Sequence, residues 1–381
     1  MMPKTQGHNT MKHFLSLTLA AALLAGCHAS HDASETTTAT TEAATTDAAV
    51  PIKVVVVAMF ERGEIRGDSP GELQLWLERL ALDTVYPFAM GEVPLHGNDD
   101  GVLALLTGGG IPNATASIMA LGTDTRFDLS NAYWIIAGIA GGDPVDLSLG
   151  SAAWARHIVD GDLLYEIDGR EIPGEWPYGL IPLGAKEPTQ DPVDLSGSWS
   201  LDTIKFTLNP GLVEWAYEVS KDVPLADAPG IAEFRELYAG YPNAQRPPFV
   251  TIGDTLSAST YWHGALLNGW ANDWVRLYAG GEANFMTSNM EDSGTLTALH
   301  RLDRAGKVDA DRVLVLRTAS NFTMPPEGKT AVWSKTAPYP DNGLPAIEAA
   351  FLVGNAVVQA LVADWDTYRD TLPSVSEEAG D

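Results

Sequence analysis

The sequence predicts an α/β fold with a mixed, largely parallel central sheet flanked by helices. Apolar runs of strand length recur along the chain, bounded by Gly, Asn, Asp or Pro, as buried strands are. Segments with helical spacing separate several of these runs, and this alternation is typical of a parallel sheet covered by helices. The predicted strands are residues 53–60, 102–107, 133–138, 163–167, 249–253 and 313–317. The predicted helices are residues 73–82, 114–121, 213–220, 261–277 and 346–365.

Two of these helices carry further signals. Before the helix at 73–82, Ser69 is a predicted N-cap, Pro70 takes the first helical position, and Glu72 follows the cap by three residues. The helix at 346–365 places Asn355 and Gln359 on one polar face. Its predicted apolar cover is Phe351, Leu352, Val358 and Leu361.

The N-terminus predicts export. Lys12 and His13 precede an apolar run, residues 14–25, which is too short to span a bilayer and leads to Cys27, the single cysteine. We expect a lipoprotein-type signal at 1–27 with Cys27 lipidated, a low-complexity tether at 28–50 and one domain at 51–381. An ordinary cleaved signal or a buried first helix is the alternative. A stretch rich in Pro, Gly and Trp at 171–199 is interpreted as an insertion and a candidate lid.

Composition excludes several classes of function. The formal net charge of -27 argues against nucleic-acid polymers and against direct adhesion to anionic lipid. Past Pro51 no apolar run reaches about 18 residues, so no transmembrane helix is predicted there. His96, His157, His263 and His300 are scattered without ligand spacing, which predicts no metal site. Motifs of serine hydrolases and of P-loop nucleotide triphosphatases are also missing from the sequence.

Four segments together resemble the purine nucleoside permease family. They are Thr107-Gly-Gly-Gly-Ile-Pro-Asn-Ala114, WIIAGIAGG at 134–142, Ser288-Asn-Met-Glu-Asp-Ser-Gly294 and LVLRTASNFTMPP at 314–326. Residues 254–274 extend the resemblance, which covers the chain from about 53 to 365. That family is in turn distantly similar to the nucleoside phosphorylase and nucleosidase superfamily. The resemblance implies a nucleoside phosphorylase-like domain, a purine nucleoside ligand and cleavage of an N-glycosidic bond.

The resemblance assigns roles to two polar residues. Cleavage leaves positive charge on the ribose and negative charge on the base, so two different groups are needed. Glu291 is expected to accept hydrogen bonds from the ribose hydroxyls, with Asn289 and Met290 beside the sugar; an ordinary surface glutamate at a helix start is the alternative. Asn321 is expected to bind the base and to favour 6-oxopurines, because an amide donates and accepts hydrogen bonds but does not protonate. An asparagine that satisfies its own turn is the alternative.

Further candidates surround this pair. A loop of Gly108, Gly109 and Gly110 precedes a helix whose predicted cap is Asn113, and it could present backbone amides to a ligand or form a plain turn. Phe60 follows the first strand and is expected at the site. A run of Tyr261, Trp262 and His263 opens a predicted helix and could stack on a purine or pack into the core.

The nucleophile is open at this stage. If it is water, Glu61 or Glu64 after the first strand is the available base. If it is phosphate, Arg62 and Arg66 could supply charge. The glycine loop itself holds neither Arg nor Lys, which favours water slightly. Apart from phosphate as co-substrate, no cofactor is expected.

Three functions compete. The first is an exported, membrane-anchored enzyme, periplasmic or on the cell surface, that releases purine base for a separate transporter. A second is a nucleoside-binding lipoprotein that passes its ligand to a membrane transporter without chemistry. The third is an acidic surface domain whose pocket is now only structural. Membrane contact would run through the lipid anchor, and a homo-oligomer is left open.

Overall fold

Short strands and helices alternate through most of the chain. The computed structural model describes residues 48–191 and 202–375. The described strands are β1 (Val50–Pro51), β2 (Val54–Ala58), β3 (Thr84–Tyr86), β4 (Leu95–Gly97), β5 (Val102–Leu106), β6 (Phe127–Asp128), β7 (Tyr133–Gly142), β8 (Ala152–Asp160), β9 (Leu164–Glu166), β10 (Leu180–Pro182), β11 (Lys205–Thr207), β12 (Val250–Ser257), β13 (Phe285–Asn289) and β14 (Val313–Phe322). The described helices are α1 (Gln74–Arg79), α2 (Ile111–Gly122), α3 (Pro210–Ser220), α4 (Pro229–Arg235), α5 (Ala265–Ala279), α6 (Asp292–Arg304), α7 (Ala331–Thr336), α8 (Leu344–Ala363) and α9 (Trp365–Tyr368).

One mixed sheet holds most of these strands. Its order is β11-β8-β12-β13-β7-β2-β5-β4-β3, and β14 pairs with both β7 and β8. The longest pairings, β7 with β14 and β8 with β12, are parallel, as are those of β2 with β5 and β7. Because β14 joins β7 to β8, the strands β7, β14, β8, β12 and β13 close into a ring. The predicted α/β fold with a mixed, largely parallel sheet is confirmed.

The central strands are buried on both sides. Val54 to Ala58 are fully buried, and so are most residues of β5, β7 and β14. Helix α8 packs against β7, β14 and α3, and α2 packs against α6. Coverage of both faces explains why these strands appear in the sequence as continuous apolar runs rather than as alternating ones.

The predicted strand at 163–167 is not buried. It forms β9, a short strand that pairs antiparallel with β10 outside the main sheet. Tyr165 and Glu166 are exposed. An apolar run of strand length does not by itself distinguish a core strand from a surface hairpin, and this one lies at the surface.

Helix α1 is not capped as the sequence predicted. The helix begins at Gln74, and Ser69 is exposed and does not cap it. Instead the Glu61 carboxylate accepts hydrogen bonds from the backbone amides of Leu73 and Gln74, at 3.0 and 2.7 Å, and from Gly71. The Glu61 carboxylate, from outside the helix, therefore accepts hydrogen bonds from the free amides at the start of α1. Glu72 takes no part in this cap.

Two other predicted helix starts are corrected. Helix α2 begins at Ile111 behind Gly110, whose φ of 89° suits glycine. Asn113 lies inside the first turn, exposed, and its Nδ2 donates to the Gly109 carbonyl at 2.8 Å, so it is not the cap. Tyr261, Trp262 and His263 precede α5, which begins at Ala265, and so do not open it.

The last long helix packs as predicted. Phe351, Val358 and Leu361 are buried, and the Gln359 side chain donates to Asn355 at 3.4 Å. Within the described residues, the segment Pro340–Ala363 is long and apolar enough to cross a membrane by length and composition alone, and 56% of its apolar stretch is buried in the protein.

Several sequence predictions concern residues that lie partly or wholly outside the described ranges. The signal at 1–27, Cys27 and the tether up to residue 47 lie outside the described residues. At the end of the predicted tether, Val50 belongs to β1 and pairs with Phe127. The predicted insertion is described up to residue 191 and contains β10, whereas residues 192–199 lie outside.

Candidate functional site

A cleft lies at the carboxyl ends of β2, β7, β13 and β14. Its volume is about 150 Å³, similar to that of a cavity that holds one benzene ring, so its enclosed part suits a small planar group. Ligand sites of open α/β sheets gather at this edge. The lining residues are Met59, Phe60, Glu72, Ile139, Ala140, Gly141, Tyr261, Ser288, Asn289, Met290, Glu291, Ser320, Asn321 and Tyr339.

Glu291 reaches into this cleft from the start of α6. It is 7% exposed, so the alternative of an ordinary surface glutamate is excluded. Its carboxylate accepts hydrogen bonds from the backbone amides of Gly110, at 3.1 Å, and Met290, at 3.2 Å. Burial raises the pKa of Glu291, and the charge of Arg317 opposes that rise.

Asn289 explains why Glu291 is free to face the cleft. The Asn289 Oδ1 accepts from the amides of Glu291 and Asp292 at 3.1 and 3.0 Å, and its Nδ2 donates to Thr255 Oγ1 at 2.8 Å. The asparagine thus caps α6, which leaves the glutamate carboxylate for other contacts. Asn289 lines the cleft, but its side-chain amide is already hydrogen-bonded within the protein.

A buried arginine supports the acidic residues of the cleft. Arg317 is 1% exposed, and its Nε donates to Asp292 Oδ2 at 3.0 Å, with a second bond from Nη2 to Oδ1. Its Nη1 donates to the Ile139 carbonyl at 3.2 Å, and its Nη2 lies 3.7 Å from Glu291 Oε2. The guanidinium therefore holds Asp292 and places positive charge beside Glu291. Among the described residues, no three His, Cys, Asp or Glu are grouped to hold a metal ion.

Glu72 is the second acidic residue of the cleft. It is 4% exposed and joins two strand ends, because its Oε2 accepts from the Met59 amide at 2.9 Å and its Oε1 from the Ile139 amide at 2.7 Å. Burial raises the pKa of Glu72 from 4.5 to about 8, with Arg317 lowering it and Glu291 raising it further. A carboxyl group with a pKa near neutrality can exchange a proton during a reaction.

This pKa predicts a pH-dependent stability. Between about pH 4.5 and pH 8 the unfolded chain has released the Glu72 proton and the folded chain retains it, so stability falls as pH rises through this window. The fall due to this group is up to about 1.4 kcal/mol per pH unit. Urea denaturation of the wild type and Glu72→Gln should show a smaller fall in the variant from pH 5 to pH 8. Parallel curves for the two proteins would contradict the assignment.

Asn321 lies opposite these carboxylates, after an irregularity in β14. The register with β7 shifts between Ala319 and Asn321, so that Ser320 is an extra residue in β14 with no partner in β7. Such a bulge changes the direction of the next side chain, that of Asn321. Ser320 Oγ donates to Asn321 Oδ1 at 3.1 Å, and Asn321 Nδ2 donates to the Phe322 carbonyl at 3.1 Å. The Asn321 side chain thus makes two hydrogen bonds to its own neighbours in the chain. Its side-chain amide keeps one N–H and one lone pair for a ligand.

Aromatic side chains form the mouth of the cleft. Phe60 and Tyr261 line it as the sequence suggested, and Tyr339 joins them from the other side, its hydroxyl hydrogen-bonded to that of Tyr261. Trp262 packs instead in a hydrophobic cluster with Trp270 and Phe285. His263 contacts Ser334 Oγ at 3.1 Å and does not line the cleft.

The glycine loop borders the cleft, and the two amides at its end, where α2 begins, are already used. The Gly110 amide donates to Glu291, and the Ile111 amide donates to Ser259 Oγ at 3.2 Å. A Cβ at Gly108 would stand 2.7 Å from Glu92 Oε1, so the loop has carboxylates rather than cations around it. These contacts leave little room for an anion at the start of α2.

The two bases suggested by the sequence lie elsewhere. Both carboxylate oxygens of Glu61 accept amide hydrogen bonds at the start of α1. Glu64 is exposed in the loop between β2 and α1, and its amide donates to Asp68. Their catalytic roles stay predictions, whereas Glu72, unlike Glu61 and Glu64, lines the cleft.

The family model for purine nucleoside permeases matches residues 51–373. The chain belongs to the purine nucleoside permease family. Its resemblance to this family in the sequence is therefore confirmed, and the four segments that carried it contain Gly110, Ile139, Glu291, Arg317 and Asn321. The segments that carried the resemblance thus contribute residues in and beside the cleft.

Two fungal members of the family are similar to this chain. A probable purine nucleoside permease of Schizosaccharomyces pombe is 31% identical over 287 residues, which cover 71% of this chain and 77% of that protein. The purine nucleoside permease of Candida albicans is 32% identical over 270 residues, 70% of this chain and 65% of that protein. The match thus spans slightly less than two thirds of the Candida protein.

Solved structures outside the permease family are also similar. A 5′-methylthioadenosine/S-adenosylhomocysteine nucleosidase of Neisseria meningitidis, bound to methylthio-immucillin-A, matches with a TM-score of 0.46 and 15% identity over 82% of this chain and 99% of that one. The futalosine hydrolase of Helicobacter pylori matches with a TM-score of 0.46 and 14% identity, over 81% and 99%.

Proposed function

We propose that the cleft binds a purine nucleoside and hydrolyses its N-glycosidic bond. The observation that carries the proposal is the meeting of Glu291, Glu72 and Asn321 in one cleft with a buried arginine behind the two carboxyl groups. Membership of a family named for purine nucleosides supports the ligand class. Two acidic groups and an amide in one cleft match the two kinds of charge that the bond cleavage creates.

Each residue takes one step of the reaction. Glu291 accepts hydrogen bonds from the ribose hydroxyls and stabilises the positive charge that grows on the sugar. Glu72, in its carboxylate form, takes a proton from a water molecule whose oxygen forms the new bond to C1′. The C1′–N9 bond breaks, and its electron pair goes to the purine. Asn321 donates a hydrogen bond to the base and suits a 6-oxopurine.

Water is favoured over phosphate as the nucleophile. The Gly110 amide is used by Glu291, and the Ile111 amide that follows it is used by Ser259. Arg66, one of two cations suggested for phosphate, donates to the carbonyls of Leu77 and Leu82 and pairs with Asp83 at 3.2 Å. Of the two suggested cations, only Arg62 is therefore left for a phosphate.

The test is to incubate the purified protein with inosine, guanosine and adenosine, with and without phosphate, and to follow free base by chromatography. Base release from inosine or guanosine that does not depend on phosphate is expected, with adenosine slower. Release that requires phosphate would identify a phosphorylase and contradict hydrolysis. The rate should rise with pH towards about 8, where the pKa of Glu72 lies.

A second function is a nucleoside-binding lipoprotein without catalysis. Two observations favour it: position 321 holds an amide where a carboxylic acid could protonate the base, and a Glu72 pKa of about 8 keeps this group largely protonated at neutral pH. Saturable binding of inosine by calorimetry, with no base released over a long incubation, would support it.

For either function we propose an exported protein anchored through Cys27, with the released or bound purine passed to a membrane transporter. Cys27→Ser should then move the protein from the membrane fraction to the soluble fraction. Retention of the variant in the membrane fraction would contradict the anchor.

A further inference from the structure

We propose that Arg62 stabilises the negative charge that develops on the purine base as it leaves. The inference rests on the proposed function and adds to it the group that compensates for the missing acid at position 321. Arg62 would then determine which leaving bases the protein accepts.

Arg62 lies near residues that line the cleft. It follows Phe60 at the end of β2, and its guanidinium carbon lies 6.0 Å from the centroid of the Phe60 ring. Arg62 Nη2 lies 3.6 Å from the position that a Cβ at Gly343 would occupy, and Tyr339 Cδ1 and Ser320 Cβ lie 3.7 and 3.9 Å from the same point. The cation therefore lies beside Phe60 and close to Gly343, a glycine that Tyr339 and Ser320 of the cleft lining also approach.

The charge of Arg62 is available. In the described parts of the chain, no carboxylate lies within ion-pair distance of its guanidinium, although the chain carries 50 acidic residues. Its interaction with the Phe60 ring leaves its N–H groups free. Arg317, the other cation close to the cleft, is held by Asp292 and Glu291. A partly exposed arginine without a carboxylate partner at a cleft rim is well placed to meet a negative ligand.

The chemistry requires such a group. When the C1′–N9 bond breaks, the purine receives the electron pair and carries negative charge over its ring nitrogens and O6. Asn321 can donate a hydrogen bond to this anion but cannot transfer a proton to it. A guanidinium nearby lowers the energy of the anion in a partly desolvated cleft, and the base later takes its proton from water.

Two nucleosides with different leaving groups test the inference. Inosine loses its base as an anion, whereas 7-methylguanosine already carries positive charge on the base and loses it as a neutral molecule. For Arg62→Met we expect kcat for inosine to fall about 100-fold, while kcat for 7-methylguanosine stays unchanged. Arg62→Lys should restore part of the inosine rate because the charge returns. Thermal melting of each variant confirms that it is folded.

Several outcomes would overturn the inference. An equal loss for both nucleosides would make Arg62 a positioning residue for substrate. A rise in the KM for phosphate in Arg62→Met would make it a phosphate ligand. If the wild type cleaves inosine and Arg62→Met cleaves it equally fast, the inference fails and the proposed function stands. If the wild type cleaves neither nucleoside, the proposed function itself fails.

Discussion

Glu291→Gln should lower the rate of inosine cleavage by about 10²–10³-fold, the usual cost of removing one group that stabilises transition-state charge. The amide has nearly the shape of the carboxylate but lacks its negative charge, so the sugar cation loses its counter-charge. The Gly110 and Met290 amides can still find one acceptor oxygen. Steady-state kinetics should show the loss in kcat rather than in KM, because the charge appears only as the bond breaks.

A matched control separates chemistry from stability. Asp254 is 5% exposed and, like Glu291, accepts backbone hydrogen bonds, from His157 at 2.9 Å and Asn284 at 2.7 Å, but it lies outside the cleft. Asp254→Asn therefore reports the cost of neutralising a buried carboxylate elsewhere. If the two variants lost stability and activity in the same proportion, Glu291 would be structural.

Arg317→Met should reduce the free energy of unfolding by about 3–5 kcal/mol. The substitution leaves the Asp292 carboxylate, which is fully buried, without its partner, and it removes the positive charge beside Glu291 and Glu72. A lost partner in a buried ion pair is costly because the remaining charge is not solvated. Urea denaturation at pH 7 measures the effect.

Two comparisons make the test specific. Arg170 pairs with Asp168 at the surface, where both side chains are exposed, so Arg170→Met should leave the free energy of unfolding nearly unchanged. Combining Arg317→Met with Asp292→Leu removes both charges and should recover part of the lost stability, because a buried pair can often be replaced by apolar residues. A loss for Arg317→Met as small as that for Arg170→Met would show that the buried pair contributes little.

The central sheet was predictable because burial on both faces leaves a strong signal. The strands at 54–58 and 102–106 and the start of the strand at 313–322 are continuous apolar runs, and their partners follow from the alternation with helices. β8 and β13 were missed since Arg156, His157 and Thr287 interrupt their apolar residues. Strand registers and the closure of the ring by β14 depend on contacts distant in sequence, which local patterns do not carry.

The site was predictable in part, through the family resemblance. Glu291 and Asn321 lie in the cleft where the resemblance put them, but Glu72 and Arg317 were missed for opposite reasons. Glu72 fitted a local capping pattern, and the competing cap, Glu61, could not be foreseen from spacing. Arg317 did leave a signal, because a single charge directly after the apolar residues 313–316 must find a buried partner.

The long pairing of β7 with β14 also sets the order of events during folding. The hydrogen bond from Gly110 to Glu291 joins residues 181 positions apart, and that from Arg317 to the Ile139 carbonyl joins residues 178 apart. Contacts so distant in sequence form late, after the loops between them have closed. A growing chain therefore has no ligand site until its last third has emerged, and a product truncated before residue 313 would lack β14, Asn321 and the cation that holds Asp292 in place.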